Sequence, residues 1–331
     1  MTIPLFSLPF LILSEIFNHI TETEIVFLSL TSKKCNKIIK ACRRKQENLS
    51  LSIFDSGEFA LRNDTMHSVK DFLTVRKLSE CVEKNSKISM KKNIPCKFHK
   101  YGHLSTFWED TEQGTKTCIE YICDLFGIVV STIGFLNSDE EMWIVDWVNQ
   151  RQSHFRFFLT NVTWEVSQKE YRKFLRCKAT ERIIISAHAP KNFLFIEKLP
   201  VVQVLCIDNC EWITIFHLLT MEIQCLETRS KSTLSNLDIN TFLKHWLTGG
   251  SPKLRCFSVQ IKNVVENELL QDFEQITEFV ERPRDFQWNP YRVTTFERSI
   301  DITRNDGVTA SLVFFEGDDP EWEHVKFMVW D

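Results

Sequence analysis

The sequence predicts an α/β protein in two parts. A small N-terminal three-helix module precedes an irregular, leucine-rich-repeat-like α/β solenoid with a C-terminal antiparallel β cap. Three observations lead there. The first thirty residues are densely apolar at helical spacing. From about residue 105 onward, helix-period segments alternate with short apolar runs, the pattern of strands joined by crossover helices. After residue 280 the alternation gives way to hairpin signals.

In the first part, Pro9 stands where the opening turn of a helix tolerates a missing N–H. Leu13, Ile16, Phe17 and Ile20 then recur at spacings of three and four. Thr21-Glu22-Thr23-Glu24 has the form of a capping box and opens a second helix through Ile25–Leu28. A third follows Thr31, with Cys35, Ile38, Ile39 and Cys42 on one face and Lys33, Lys34, Lys37 and Lys40 on the other. A unit of roughly 40 residues struggles to bury enough surface alone. Phe6, Leu8, Phe10, Leu11 and Ile12 exceed what one internal face requires, so they must pack on the rest of this chain or on a partner.

In the second part, the helix through Thr117–Phe126 stops at Gly127 before the run Ile128–Ile133. Ser138-Asp139-Glu140-Glu141 opens a helix that leads to a strand at Phe155–Leu159. Val166–Leu175 precedes Arg182–Ser186, and Trp212–Leu219 precedes Ile223–Thr228. The clearest helix, Asp238–Leu247, ends at Gly249-Gly250-Ser251-Pro252, and the strand Leu254–Ile261 follows. Strand starts near 128, 154, 182, 202, 223 and 254 are 20 to 31 residues apart, an irregular repeat. Only Val202–Cys210 fits the leucine-rich-repeat skeleton well. Arg298–Arg304, the turn Asn305-Asp306-Gly307 and Val308–Phe315 read as a hairpin, with His324–Trp330 as a last strand. The expected division is 1–45, a connecting region 46–110, and a large domain 111–331.

Composition narrows the function. The chain is 43% hydrophobic and 25% charged, with a net charge of −4, so no global field points to nucleic acid or membrane. One basic run, Lys87, Lys91, Lys92, Lys97 and Lys100, reads as a solvated linker, with a phosphate-binding strip as the sharper alternative. Eleven cysteines scattered through apolar stretches suit reduced, buried thiols in the cytoplasm or nucleus better than a disulfide framework. The apolar N-terminus has no Lys or Arg before Lys33 and is broken by Pro4 and Pro9, unlike a secretion signal.

Catalytic and metal chemistry is not expected, and no cofactor is implied. No Gly-x-Gly-x-x-Gly or Gly-Lys-Ser/Thr loop follows a strand. Cys96, His99 and His103 have metal-like local spacing but no second pair nearby in sequence, and Cys206 and Cys210 read as strand-edge positions. Glu140-Glu141 and Asp318-Asp319 read as solvated acidic pairs, and Trp143, Trp147 and Trp164 as core. Strand ends would instead form a concave face that binds protein, with Arg156, Arg182, Gln203, Gln224 and Arg255 lining part of it.

Two stretches resemble known families. Leu8-Pro9, Ile12, Glu15-Ile16-Phe17, Ile20, Glu24-Ile25, Leu28 and Leu30-Thr31-Ser32-Lys33 resemble the F-box motif over about residues 6–45, with Cys35 where an aromatic residue is usual. Leu237–Asn240, Trp246–Leu254 and Ile302–Ala310 resemble the nematode-type F-box-associated (type 2) domain over about residues 130–320. The first resemblance implies docking onto the Skp-type adaptor of a cullin–RING ubiquitin ligase, with Leu8, Pro9, Ile12, Ile16, Ile25 and Leu28 as the apolar contact. The second implies capture of a target protein. Together they imply a non-catalytic substrate receptor of a Skp–cullin–F-box ligase. The rival readings are an adaptor-bound scaffold without ubiquitination and an unrecognised hydrolase or transferase.

Overall fold

The structure is a computed structural model and describes residues 5–43, 48–63, 68–81, 86–89, 93–99, 102–136, 142–161, 166–273, 277–289, 292–317, 319 and 321–330. The chain forms two compact units, Met1–Phe155 and Arg156–Asp331. No helix among the described residues is long and apolar enough to cross a membrane.

The first unit opens with three helices: α1 (Phe10–His19), α2 (Glu22–Leu30) and α3 (Lys33–Cys42). Residues 46–110, expected to be a connecting region, are instead largely sheet. They hold β1 (Leu49–Phe54), β2 (Glu58–Asn63), β3 (Ser68–Lys77), β4 (Ser86–Ser89), β5 (Asn93–Phe98) and β6 (Leu104–Trp108). Helix α4 (Thr111–Phe126), β7 (Val130–Phe135) and α5 (Trp143–Arg151) complete the unit. Strand order is β7-β1-β2-β3-β6-β5-β4. The turn between β1 and β2 depends on Gly57, at φ +65, where an added Cβ would lie 2.9 Å from the Val75 carbonyl oxygen. Any side chain there meets both backbone strain and a clash. The start of α5, expected at Ser138–Glu141, lies outside the described residues, as do Lys91, Lys92, Lys100, Trp164 and Asp318.

The second unit contains β8 (Phe155–Thr160, its first residue closing the first unit), α6 (Gln168–Leu175), β9 (Ala179–Ile185), β10 (Val204–Ile207), α7 (Ile215–Thr220), β11 (Cys225–Lys231), α8 (Asn236–Leu247) and β12 (Cys256–Lys262). Strands β8 to β12 lie side by side in chain order, and β9 to β12 pair in parallel. Helices join β8 to β9, β10 to β11 and β11 to β12, while an irregular segment joins β9 to β10. Helix α8 ends through Gly249, at φ +92, with the Gly249 N–H donating to the Trp246 carbonyl at 2.9 Å. A left-handed residue at that position satisfies the last helical carbonyls.

The expected C-terminal antiparallel region is present: α9 (Glu266–Leu269), β13 (Thr277–Asn289), β14 (Arg292–Thr303), β15 (Thr309–Glu316) and β16 (Trp322–Val329). Strand β16 extends the sheet by pairing antiparallel with β12. Strand β13 and the first part of β14 were not anticipated.

Those extra residues cover a second face of the sheet. On one face, Ile183, Leu205, Leu226 and Phe257 align across four strands and are fully buried. There the ring of Phe242 on α8 meets Phe257 edge-on at 4.8 Å. On the opposite face, Val204, Cys225, Cys256 and Met328 align one residue earlier in the register. They are capped by Phe286, Trp288 and Phe296 from the β13–β14 hairpin. The hairpin reaches them because β14 pairs with β15 only from Ile300 to Thr303 and because the β13 register shifts between Glu281 and Arg284, around Pro283. A bulge bends a strand, and proline in a sheet is tolerated at such a point.

Polar contacts fasten the hairpin. The Arg284 guanidinium donates to Asp301 at 2.6 Å and lies 4.0 Å from the Trp330 ring centre. At the tip, Arg292 donates to Glu227 at 2.5 Å. Burial alone would raise the Glu227 carboxyl, but the hydrogen bond and charge of Arg292, with Arg229, hold it below its ordinary value. A depressed carboxyl contributes stability above its unfolded pKa and loses it as pH falls through the folded value. Trp288→Ala is therefore expected to destabilise the protein by about 3 kcal/mol, read from the urea midpoint. Glu227→Gln is expected to be less stable than the parent at neutral pH, and the difference should close as the pH falls below the ordinary 4.5.

Candidate functional site

The three N-terminal helices form because each has its own start signal. At α2, Thr21 accepts from the Glu24 N–H at 3.3 Å and Glu24 accepts from the Thr21 N–H at 2.8 Å, closing the expected capping box. At α3, Ser32 accepts from the Cys35 N–H at 3.1 Å. Leu13 and Phe17 of α1, Ile25, Val26 and Leu30 of α2, and Cys35, Ile39 and Cys42 of α3 make the buried interior.

The chain covers part of this module itself. The Tyr121 hydroxyl of α4 hydrogen-bonds Ser29 at 2.8 Å and accepts from Asn36 at 2.9 Å. Lys40 pairs with Asp124, and the Arg43 guanidinium lies 4.4 Å above the Phe126 ring. Burial lowers the Arg43 pKa, opposed by Glu22, whose carboxylate is 3.7 Å away.

Among the described residues, the outer side of α1 has no such cover. Leu11 is 79% and Ile12 47% exposed, and Phe10 is also exposed. Leu11 and Ile12, with Ser14, Glu15, Ile16, His19 and Ile20, line a shallow depression of about 620 Å³. The structure splits the six residues carried over from the resemblance. Pro9 and Ile12 are exposed, Leu8, Ile16 and Leu28 are half-buried, and Ile25 is fully buried. Ile25 is thus a core residue of the module, and Leu11, absent from that set, is the most exposed apolar side chain of α1.

The residues expected to line a target-binding face fall on two faces. Gln203, Gln224 and Arg255 form one row at the strand starts: the Gln203 N–H donates to the Thr180 carbonyl at 3.1 Å, Gln224 to Gln203 at 3.1 Å and Arg255 to Gln224 at 2.7 Å. All three are exposed. Arg156 joins that side through a 2.5 Å contact from its Nε to Glu181. Arg182 is in register with Val204, so strand alternation sends it to the other face. That second face, expected to be open, is occupied over β10 to β12 by the protein's own hairpin.

The remaining polar candidates are placed as follows. His99 Nε2 lies 2.9 Å from Ser105 Oγ, and His103 Nε2 lies 2.6 Å from Thr74 Oγ1. The Cys210 thiol donates to the Ser230 carbonyl at 3.2 Å, and Cys206 faces Glu227 at 3.7 Å. Burial pushes the Cys118, Cys177 and Cys206 thiols up to about 12, so they stay protonated at neutral pH and are poor nucleophiles. Trp143 and Trp147 are half-buried rather than core, with Lys116 and Arg151 stacked on their rings at 4.8 and 5.4 Å.

Residues 5–47 match the F-box domain. The match spans α1 to α3 and agrees with the resemblance read from the sequence. Residues 192–259 match the F-box associated family. This second match takes in Leu237–Leu254 but not Ile302–Ala310, and is narrower than the span read from the sequence. No curated protein and no solved structure matched the chain.

Tyr121 ties α4 to two helices of the F-box match through Ser29 and Asn36. Tyr121→Phe should lower stability by about 1 kcal/mol, because Asn36 loses its half-buried acceptor. An unchanged urea midpoint would mean that α4 does not hold the module.

Proposed function

We propose that this chain is the substrate-recognition subunit of a Skp–cullin–F-box type ubiquitin ligase. It docks a Skp-type adaptor through α1 and its neighbours and captures a target through the second unit. The observation that supports this reading is the uncovered apolar side of α1 inside a segment that matches the F-box domain. The chain has already covered α2 and α3 with α4, so what α1 still exposes is the surface left for another polypeptide.

In this account the protein contributes proximity rather than catalysis. Conjugating chemistry belongs to subunits that the adaptor recruits, and tethering raises the effective concentration of target lysines near them. The parallel strands serve as a leucine-rich-repeat-like support whose strand starts and connecting loops present side chains to the target. Ten buried, protonatable thiols fit a reducing cytoplasm or nucleus as its setting.

Within the docking set, Leu8, Ile12 and Ile16 act as contacts, joined from outside it by Leu11, while Pro9 and Leu28 flank them and Ile25 holds the module together. Ile12→Asp should weaken binding of a purified Skp-type adaptor by about tenfold or more while leaving the melting temperature unchanged. Ile25→Ala should instead cost about 2–5 kcal/mol of stability. Adaptor binding that ignores Ile12→Asp would refute the docking assignment.

A further inference from the structure

The segment between β9 and β10 displays apolar side chains in a way that its own packing does not require. Phe193 and Phe195 are buried, while Leu194 and Ile196 between them are 70% and 85% exposed. The segment is firmly held. Phe193 meets Tyr171 at 4.8 Å and Trp212 at 5.6 Å, and Phe195 meets Trp212 at 5.7 Å and stacks on His217 at 6.0 Å. Arg172 of α6 donates to the Leu194 carbonyl at 3.0 Å, and Arg176 pairs with Glu197. Two aliphatic groups are therefore fixed in water on a rigid support, which lowers the ordering cost of binding them.

The surroundings are basic. Helix α6 and residues 190–201 contain five Lys and Arg against two Glu, in a chain whose net charge is −4. Lys169, Lys191 and Lys198 are exposed and form no ion pair among the described residues. Val201, at the end of the segment, is also exposed. Positive charge around an aliphatic centre complements a segment that carries aliphatic side chains among Asp and Glu.

We propose that α6 and residues 190–201 form the target-docking surface and that its ligand is an acidic, aliphatic peptide segment of the target protein. The proposal rests on the target-capture reading above and gives it a location and a ligand chemistry. An anionic bilayer is the poorer fit. Its broad negative surface meets the field of a chain that is negative overall, whereas a short peptide meets only the local charge.

The test uses the full chain bound to its adaptor and a fluorescein-labelled peptide in which Leu and Ile alternate with Asp and Glu, read by anisotropy. The acidic peptide should bind, and added salt should weaken it. Lys191→Glu with Lys198→Glu, and separately Leu194→Ser with Ile196→Ser, should each weaken binding by about tenfold. These positions are exposed, so both variants should keep the parent melting temperature and adaptor binding. The proposal is overturned if both variants bind the peptide like the parent, or if a peptide with Lys in place of Asp and Glu binds equally well. It also falls if phosphatidylserine vesicles bind in place of the peptide, or if the only effect of Leu194→Ser with Ile196→Ser is to dissociate a self-associated chain. Loss of peptide binding with the adaptor still bound strikes at this surface alone. Loss of the adaptor from the parent strikes at the ligase reading.

Discussion

Three short helices cannot bury all the apolar side chains that these three carry, and the arrangement of the first unit follows from how the excess is divided. Burial of apolar surface contributes roughly 25 cal/mol per Å², so an excess left in water is a standing drive toward association. The chain satisfies part of it by laying α4 along α2 and α3. A single tyrosine hydroxyl serves Ser29 and Asn36 at that junction, and Arg43 covers Phe126. What remains is the outward side of α1, with Leu11 and Ile12. The same division explains why Ile25 and Ile12, both members of the family pattern, have different tasks. One closes the interior and the other stays available.

The second unit meets the related constraint that a parallel sheet must be covered on both faces. Helices supply one cover. The other comes from β13 and β14, which bend at the Pro283 bulge and lay Phe286, Trp288 and Phe296 on Cys225, Cys256 and Met328. Charged anchors keep the hairpin down: Arg284 on Asp301 and Trp330, and Arg292 on Glu227. That face is filled over β10 to β12, while Gln203, Gln224 and Arg255 stand exposed at the strand starts. The exposed Leu194 and Ile196 lie on the segment between β9 and β10.

Much of this was legible in the sequence where one local rule decides the outcome. The Thr21–Glu24 box, the stop at Gly127, the Gly249 end of α8 and the Asn305–Gly307 turn all follow from chemistry within a few residues. The order of parallel strands also followed, because helix-period and apolar runs alternate. Strand β1 was legible but missed: Leu49-Ser-Leu-Ser-Ile53 alternates strictly, yet its hydroxyls are buried as well. Strand β13 was hidden because Pro283 and its charges argue against a strand, and only the bulge reconciles them. The site was half legible. Family pattern located the three helices, but the cover that α4 lays on α2 and α3 comes from some eighty positions away. Gln203, Gln224 and Arg255 share one row at the strand starts, and Arg182 lies one residue of register away from it.

The central claim is that α1 stays open until another protein covers it. Hydrogen–deuterium exchange on the full chain, alone and with a Skp-type adaptor, tests this most directly. The account predicts that exchange in residues 8–20 slows on adaptor addition, while α4 and the β13–β14 hairpin keep the rates of the free chain. Unchanged exchange across residues 8–20 at saturating adaptor would contradict it.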